Sequence, residues 1–225
     1  MAKVFLSPSN QYDNVYAYGN TTEGVQCGKI ADACKIALER SGVDVMLMHD
    51  ESMQDKCAAS NAFDADLHVP IHTNAFNGKV MGTRMFCYST EGKGMAACKA
   101  IFARLAPITP GESENIQVNA DYYEVRVPAA PTAYIECEFH DTVEGAKWIV
   151  ENTVLIGETI ARGICDYFGV TFKEPEQPKP VEQEKKDVLY RVQIGAYKIK
   201  ANAEKRQAEA KAAGFTDAFI VTVEQ

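Results

Sequence analysis

The chain has 225 residues, with 23 lysines and arginines against 31 aspartates and glutamates, a net charge of −8 with histidine neutral. At roughly 100–200 residues per domain, that length holds one well-filled core and a small second unit, and 46% hydrophobic with 24% charged residues excludes a globally disordered chain. The acidic balance argues against nucleic acid as a partner, since phosphate binding needs a basic face, and no apolar run approaches the roughly 18 residues of a membrane span.

The opening Met1–Pro8 (MAKVFLSP) lacks the apolar stretch of a secretory signal, so synthesis in the cytoplasm is expected. Seven cysteines at 27, 34, 57, 87, 98, 137 and 165 contain no C-x-x-C pair. An odd number without that spacing disfavours both a disulfide framework and a thiolate zinc cluster, and predicts reduced, buried thiols.

In chain order, Lys3–Leu6 reads as a strand. A helix over Glu23–Arg40 places Ile30, Cys34, Ala37 and Leu38 on one face and stops at Ser41-Gly42. Val43–Met48 is a second strand, Met53–Phe63 a short helix, Leu67–Ile71 a third strand and Thr83–Tyr88 a fourth. Met95–Leu105 is helical, Pro107–Ala120 a turn-rich loop, and Tyr122–Val127 and Thr132–Phe139 are strands. Glu144–Phe168 reads as one long helix burying Ile149, Ile156, Ile160 and Ile164. This order predicts an α/β fold: a central, largely parallel mixed sheet with helices on both faces and the site at the strands' C-terminal ends.

Lys173–Asp187 carries three prolines, nine charged residues and a single apolar side chain, Val181, too little to offset its ordering entropy, and reads as an extended linker. It separates residues 1–172, with 13 basic and 22 acidic side chains, from residues 188–225, with 6 basic and 4 acidic. The tail reads as strand Val188–Ile194, helix Ala201–Ala213 and strand Ala218–Val223, a small βαβ module too short to be comfortable alone.

Candidate chemistry gathers at the expected active edge. His72 follows the third strand, where it is either a metal ligand or an ordinary hydrogen-bonded loop residue. His68 lies four residues earlier on the same strand face, over about 10 Å away along the strand, and reads as a core or supporting histidine. His49 reads as a solvated edge residue. Glu136 and Glu138 point to one face of an apolar strand, with His140 next; burial and a like-charged neighbour would raise a carboxyl pKa and suit a general base, against the plainer reading of a solvated acidic strand end. Glu23 opens a helix, where the dipole alone explains a carboxylate. Ser7-Pro8-Ser9-Asn10-Gln11 brings amide side chains to the same edge. One histidine, one or two glutamates and amides at adjacent strand ends are compatible with a catalytic zinc site that keeps a position open for water.

Taken in order, Ala65–Ala75 (ADLHVPIHTNA) and Pro131–Phe139 (PTAYIECEF), with Glu23 at a helix start, resemble the zinc-dependent N-acetylmuramoyl-L-alanine amidases of the amidase-3 type over residues 3–168. The resemblance implies Zn2+ bound by Glu23 and His72, Glu136 as general base toward water, and peptidoglycan as substrate, cut between N-acetylmuramic acid and L-alanine. The family's first zinc-binding histidine is absent: Gln11, or alternatively Asn10, stands in its place, and Glu138 or His140 are further candidates for the missing ligand. The Ser-Pro-Ser-x-Gln opening resembles a divergent branch seen among clostridial and phage enzymes.

The tail, from Tyr190–Tyr197 (YRVQIGAY) to Gly214-Phe215, is similar to the first half of a SPOR-type peptidoglycan-binding repeat. Two such tails pairing across chains into one sheet would make a homodimer. The expectation is a cell-wall hydrolase, an endolysin or autolysin, acting at the wall after release. The alternatives are a non-catalytic wall-binding relic and a zinc hydrolase of another amide.

Overall fold

The computed structural model describes residues 1–175, 190 and 192–223. The chain divides into two compact units, Met1–Glu176 and Gln177–Gln225. In the first unit the elements run β1 (Lys3–Pro8), α1 (Glu23–Arg40), β2 (Asp44–Leu47), α2 (Met53–Phe63), β3 (Leu67–Asn74), β4 (Arg84–Cys87), α3 (Lys93–Leu105), β5 (Gln117–Val118), α4 (Tyr123–Arg126), β6 (Tyr134–Phe139), α5 (Val143–Glu151) and α6 (Thr153–Phe168). The sheet order is β2-β1-β3-β6-β4-β5. All neighbours are parallel except β4 against β6, which is the largely parallel mixed sheet expected.

Strand alternation sorts the side chains into two faces. Val4 and Leu6 of β1, Leu67, Val69 and Ile71 of β3, and Ile135 and Cys137 of β6 join one apolar core with α1, α3 and α6. Helix α6 lies close against both α1 and α3. A Cβ on Gly157 would stand 2.5 Å from the Ile30 carbonyl oxygen, and one on Gly163 2.5 Å from Ile101 Cα, so only glycine permits that approach. The alternate positions, Phe5 and Ser7 of β1, His68 and His72 of β3, and Tyr134 and Glu136 of β6, face the other side. Right-handed crossovers place α2 there, joined by the single-turn α4.

Four segments depart from expectation, the first being the loop expected over Pro107–Ala120, which contains the two-residue strand β5 paired with β4. Tyr122–Val127 is not a strand: Tyr123–Arg126 forms one helical turn, and the β-like alternation of its side chains is overridden by packing. The long helix is two, broken at Asn152, whose backbone leaves the helical region (φ −126°, ψ 21°) and whose amide bonds the Trp148 carbonyl; asparagine competes with the helix for its own hydrogen bonds. Strand β3 continues through Asn74, so His72 lies within a strand instead of after it. All seven cysteines are free and buried.

Of the expected linker, residues 176–187 lie outside the described residues, while Lys173 and Glu174 bond Ser41, Arg40 and Arg162 of the first unit. In the second unit α7 spans Lys200–Ala212. Neither expected flanking strand is present among the described residues, and Val188, Leu189 and Arg191 lie outside them. Among the described residues, no helix is long and apolar enough to cross a membrane.

Candidate active site

The loop after β1 closes over the start of α1. The first backbone N–H groups of a helix lack partners within it, and here Glu23 N–H donates to the Asn14 carbonyl (2.9 Å) and Gly24 N–H to the Gln11 carbonyl (3.1 Å). The Tyr12 ring lies so near that a Cβ on Gly24 would stand 2.8 Å from it. This seating delivers the Gln11 side chain to Glu23.

Glu23 Oε1 lies 3.0 Å from His72 Nδ1 and accepts from Gln11 Nε2 at 3.3 Å; Gln11 Nε2 is 3.5 Å from His72 Nδ1. Asn14 Nδ2 donates to Glu23 Oε2 (2.7 Å) and Gln11 Oε1 (3.0 Å). A carboxylate, an imidazole and an amide thus converge within 3.5 Å of one another. Asn10 turns away, its amide donating to the carbonyls of Asp50 and Glu51 at 3.4 and 3.0 Å.

Beside His72 in the β3–β6 register stands Glu136. Its Oε2 is buried with no hydrogen-bond partner among the described residues. Burial pushes its carboxyl up to about 7, against the attraction of His72 and with the repulsion of Glu23. Burial would also raise Glu23, but the hydrogen bond and charge of His72, with bonds from Asn14 and Ser9, hold it below its ordinary value. For His72 burial disfavours the charge, yet Glu124 and Glu23 outweigh it and raise the imidazole to about 9. The Tyr134 ring stacks on His72 at 4.7 Å and fixes its plane.

The other candidates lie elsewhere. After the pair His72–Glu136 the register slips, with Asn74 opposite Phe139, and this bulge re-aims the residues that follow. Glu138 accordingly accepts from the backbone of Gly82 (2.8 and 3.0 Å) and Phe139 (2.7 Å) instead of sharing the Glu136 pocket. His140 Nδ1 bonds the Thr73 hydroxyl at 2.9 Å and stacks on Tyr16. His49 is partly exposed and meets Asp32 at 3.1 Å.

Glu124 is the residue that reading the sequence missed. It is buried on α4, accepts from the Ser7 hydroxyl, and lies 3.4 Å from His68 Nε2 and 3.9 Å from His72 Nε2. Burial works against its charge, but His68, His72 and Ser7 hold its carboxyl well below the usual range. Cys57 stands near it, so that Cys57, His68 and Glu124 form a possible metal-binding cluster.

A model of the family described as N-acetylmuramoyl-L-alanine amidase matches residues 11–166. The chain belongs to that family. The span covers Gln11, Glu23, His72 and Glu136, and a SPOR domain model matches residues 173–222. The sporulation-specific N-acetylmuramoyl-L-alanine amidase of Bacillus subtilis (strain 168) is 27% identical over 228 residues, covering 98% of this chain and 85% of its own. The fold of this amidase is shared by the catalytic domain of CwlV from Bacillus (Paenibacillus) polymyxa var. colistinus, with TM-score 0.67 at 16% identity over 76% of this chain and 100% of that one. AmiC2 of Nostoc punctiforme gives 0.65 at 19% identity over 75% and 97%.

Proposed function

We propose that this amidase hydrolyses the bond between N-acetylmuramic acid and L-alanine in peptidoglycan, with Glu136 as general base beside a divalent cation, zinc, held by Gln11, Glu23 and His72. The observation that carries the reading is the convergence of Glu23 Oε1, His72 Nδ1 and the Gln11 amide within 3.5 Å of one another. That spacing fits three ligands of one ion, and a half-turn of the Gln11 amide exchanges its nitrogen for an oxygen donor. A cation bound there supplies Lewis acidity to a water and to the amide carbonyl.

The chain's own groups do the rest. Glu136, whose buried Oε2 has no hydrogen-bond partner among the described residues, accepts a proton from the water as the water oxygen bonds the carbonyl carbon. It returns that proton to the alanine nitrogen as the C–N bond breaks, so one water is consumed and a free lactyl carboxyl and an L-alanine amine result. The SPOR match supports a wall-binding role for residues 173–222.

The test is incubation of the full chain with zinc and purified peptidoglycan, counting new L-alanine amino termini. Their appearance supports the reading. One observation favours the alternative of a wall-binding relic: Gln11 is a neutral amide where the family resemblance calls for an imidazole, and amides hold zinc more weakly. Wall binding without new termini, across several wall types, would establish the relic.

A further inference from the structure

A second set of donors lies beside the site and shares with it only the contact of Glu124 with His72. The Cys57 thiol of α2, a His68 ring nitrogen of β3 and a Glu124 carboxylate oxygen of α4 lie within 4.8 Å of one another, all buried. His68 Nε2 meets the Glu124 carboxylate at 3.4 Å, while His72 Nε2, which faces Glu124 from the other side at 3.9 Å, has no hydrogen-bond partner among the described residues. A partnerless ring nitrogen beside a sunken carboxylate is costly in a protein interior unless something else compensates it.

We propose that Cys57, His68 and Glu124 form a second, structural cation site for zinc or a metal of similar softness, separate from Gln11, Glu23 and His72. Thiolate, imidazole and carboxylate are the donor types zinc selects, whereas calcium and magnesium take oxygen ligands. The charges agree: one thiolate and one carboxylate balance a divalent ion. Ligand atoms around one zinc lie about 3.2–3.8 Å apart; the 3.4 Å between His68 Nε2 and Glu124 Oε1 already matches, and the remaining closure is about an ångström. Cys57 keeps its proton when no ion is present, since burial and then Glu124 push its thiol up to about 12, so binding exchanges that proton for the metal.

The site's work is mechanical. Helix α4 is a four-residue turn that cannot hold its own shape. A metal would tie it to α2 and β3 and thereby seat Tyr122, whose ring packs on Tyr134 at 5.1 Å, the same Tyr134 that stacks on His72.

The full chain, stripped with a chelator, is titrated with cobalt(II) and followed for thiolate-to-cobalt charge-transfer absorption. The band should appear and saturate by two equivalents in wild type, one for each site, and at one equivalent in Glu23→Gln. It should vanish in Cys57→Ser and in His68→Gln and persist in Glu23→Gln; zinc should raise the Tm of Glu23→Gln but not of the double variant Glu23→Gln/Cys57→Ser, since Cys57→Ser alone keeps the site at Gln11, Glu23 and His72. Absence of the band from the folded wild type overturns the site, and so does a band that survives Cys57→Ser. The wild-type band is decisive even if a variant fails to fold. A chain that shows the band yet releases no L-alanine termini keeps this site and loses the hydrolytic reading.

Discussion

Glu124 Oε2 faces His72 Nε2 at 3.9 Å while Glu23 Oε1 faces the opposite ring nitrogen at 3.0 Å. One imidazole is therefore held between two carboxylates of different duty. With no ion bound the raised imidazole keeps a proton for Glu23 at Nδ1; an ion at Nδ1 would displace that proton, and the negative charge of Glu124 favours the tautomer that keeps the other on Nε2. Glu124→Gln keeps the shape and removes that bias. The zinc concentration giving half-maximal turnover should rise about 10–100-fold, with turnover at saturating zinc largely retained. A fall in turnover that added zinc does not restore would contradict a positioning role.

Glu136→Gln should abolish release of L-alanine termini, by about 100-fold or more, while thermal unfolding and bound zinc remain near wild type. Retention of near-normal turnover would remove Glu136 from the base role.

Gln11→His places an imidazole where the amide now meets Glu23 and His72. Tighter zinc binding is expected, about tenfold or more, equivalent to about 1.4 kcal/mol, read by competition with a chromogenic chelator. Unchanged affinity would mean that residue 11 does not reach the ion.

Glu138 offers a pH test of stability. Burial raises its carboxyl from 4.5 to about 7, against the bonds from Phe139 and Gly82. Between those values the folded chain holds a proton that the unfolded chain has shed, so the contribution of Glu138 to stability falls as pH rises through the window. Glu138→Gln has no such proton. Its Tm relative to wild type should improve as pH rises from about 4.5 to about 7 and then level off. A difference that stays constant with pH would refute the raised carboxyl.

Much of the fold was legible because periodicity reports which side chains meet the core. Helices Glu23–Arg40 and Met53–Phe63 begin and end where their caps and apolar spacing indicate. At the site, Glu23 and His72 are brought together as the family motifs implied, and Gln11 joins them instead of Asn10. Glu124 was invisible for a physical reason: Tyr122–Val127 alternates like a strand, and nothing local announces that a buried carboxylate will be compensated by His68 and His72, more than 50 residues away in sequence. The break at Asn152 did leave a trace, an asparagine followed by two β-branched residues, Thr153 and Val154.

The register slip between β3 and β6 divides labour between neighbours. Glu136 and Glu138 are two residues apart, yet one keeps an oxygen free beside His72 while the other anchors the Gly82 backbone. One inserted strand position has uncoupled the two carboxylates. A change in the loop at Gly82, where a Cβ would stand 2.3 Å from the Glu112 carbonyl oxygen, is met first by Glu138, and the carboxylate beside His72 has no bond to that loop.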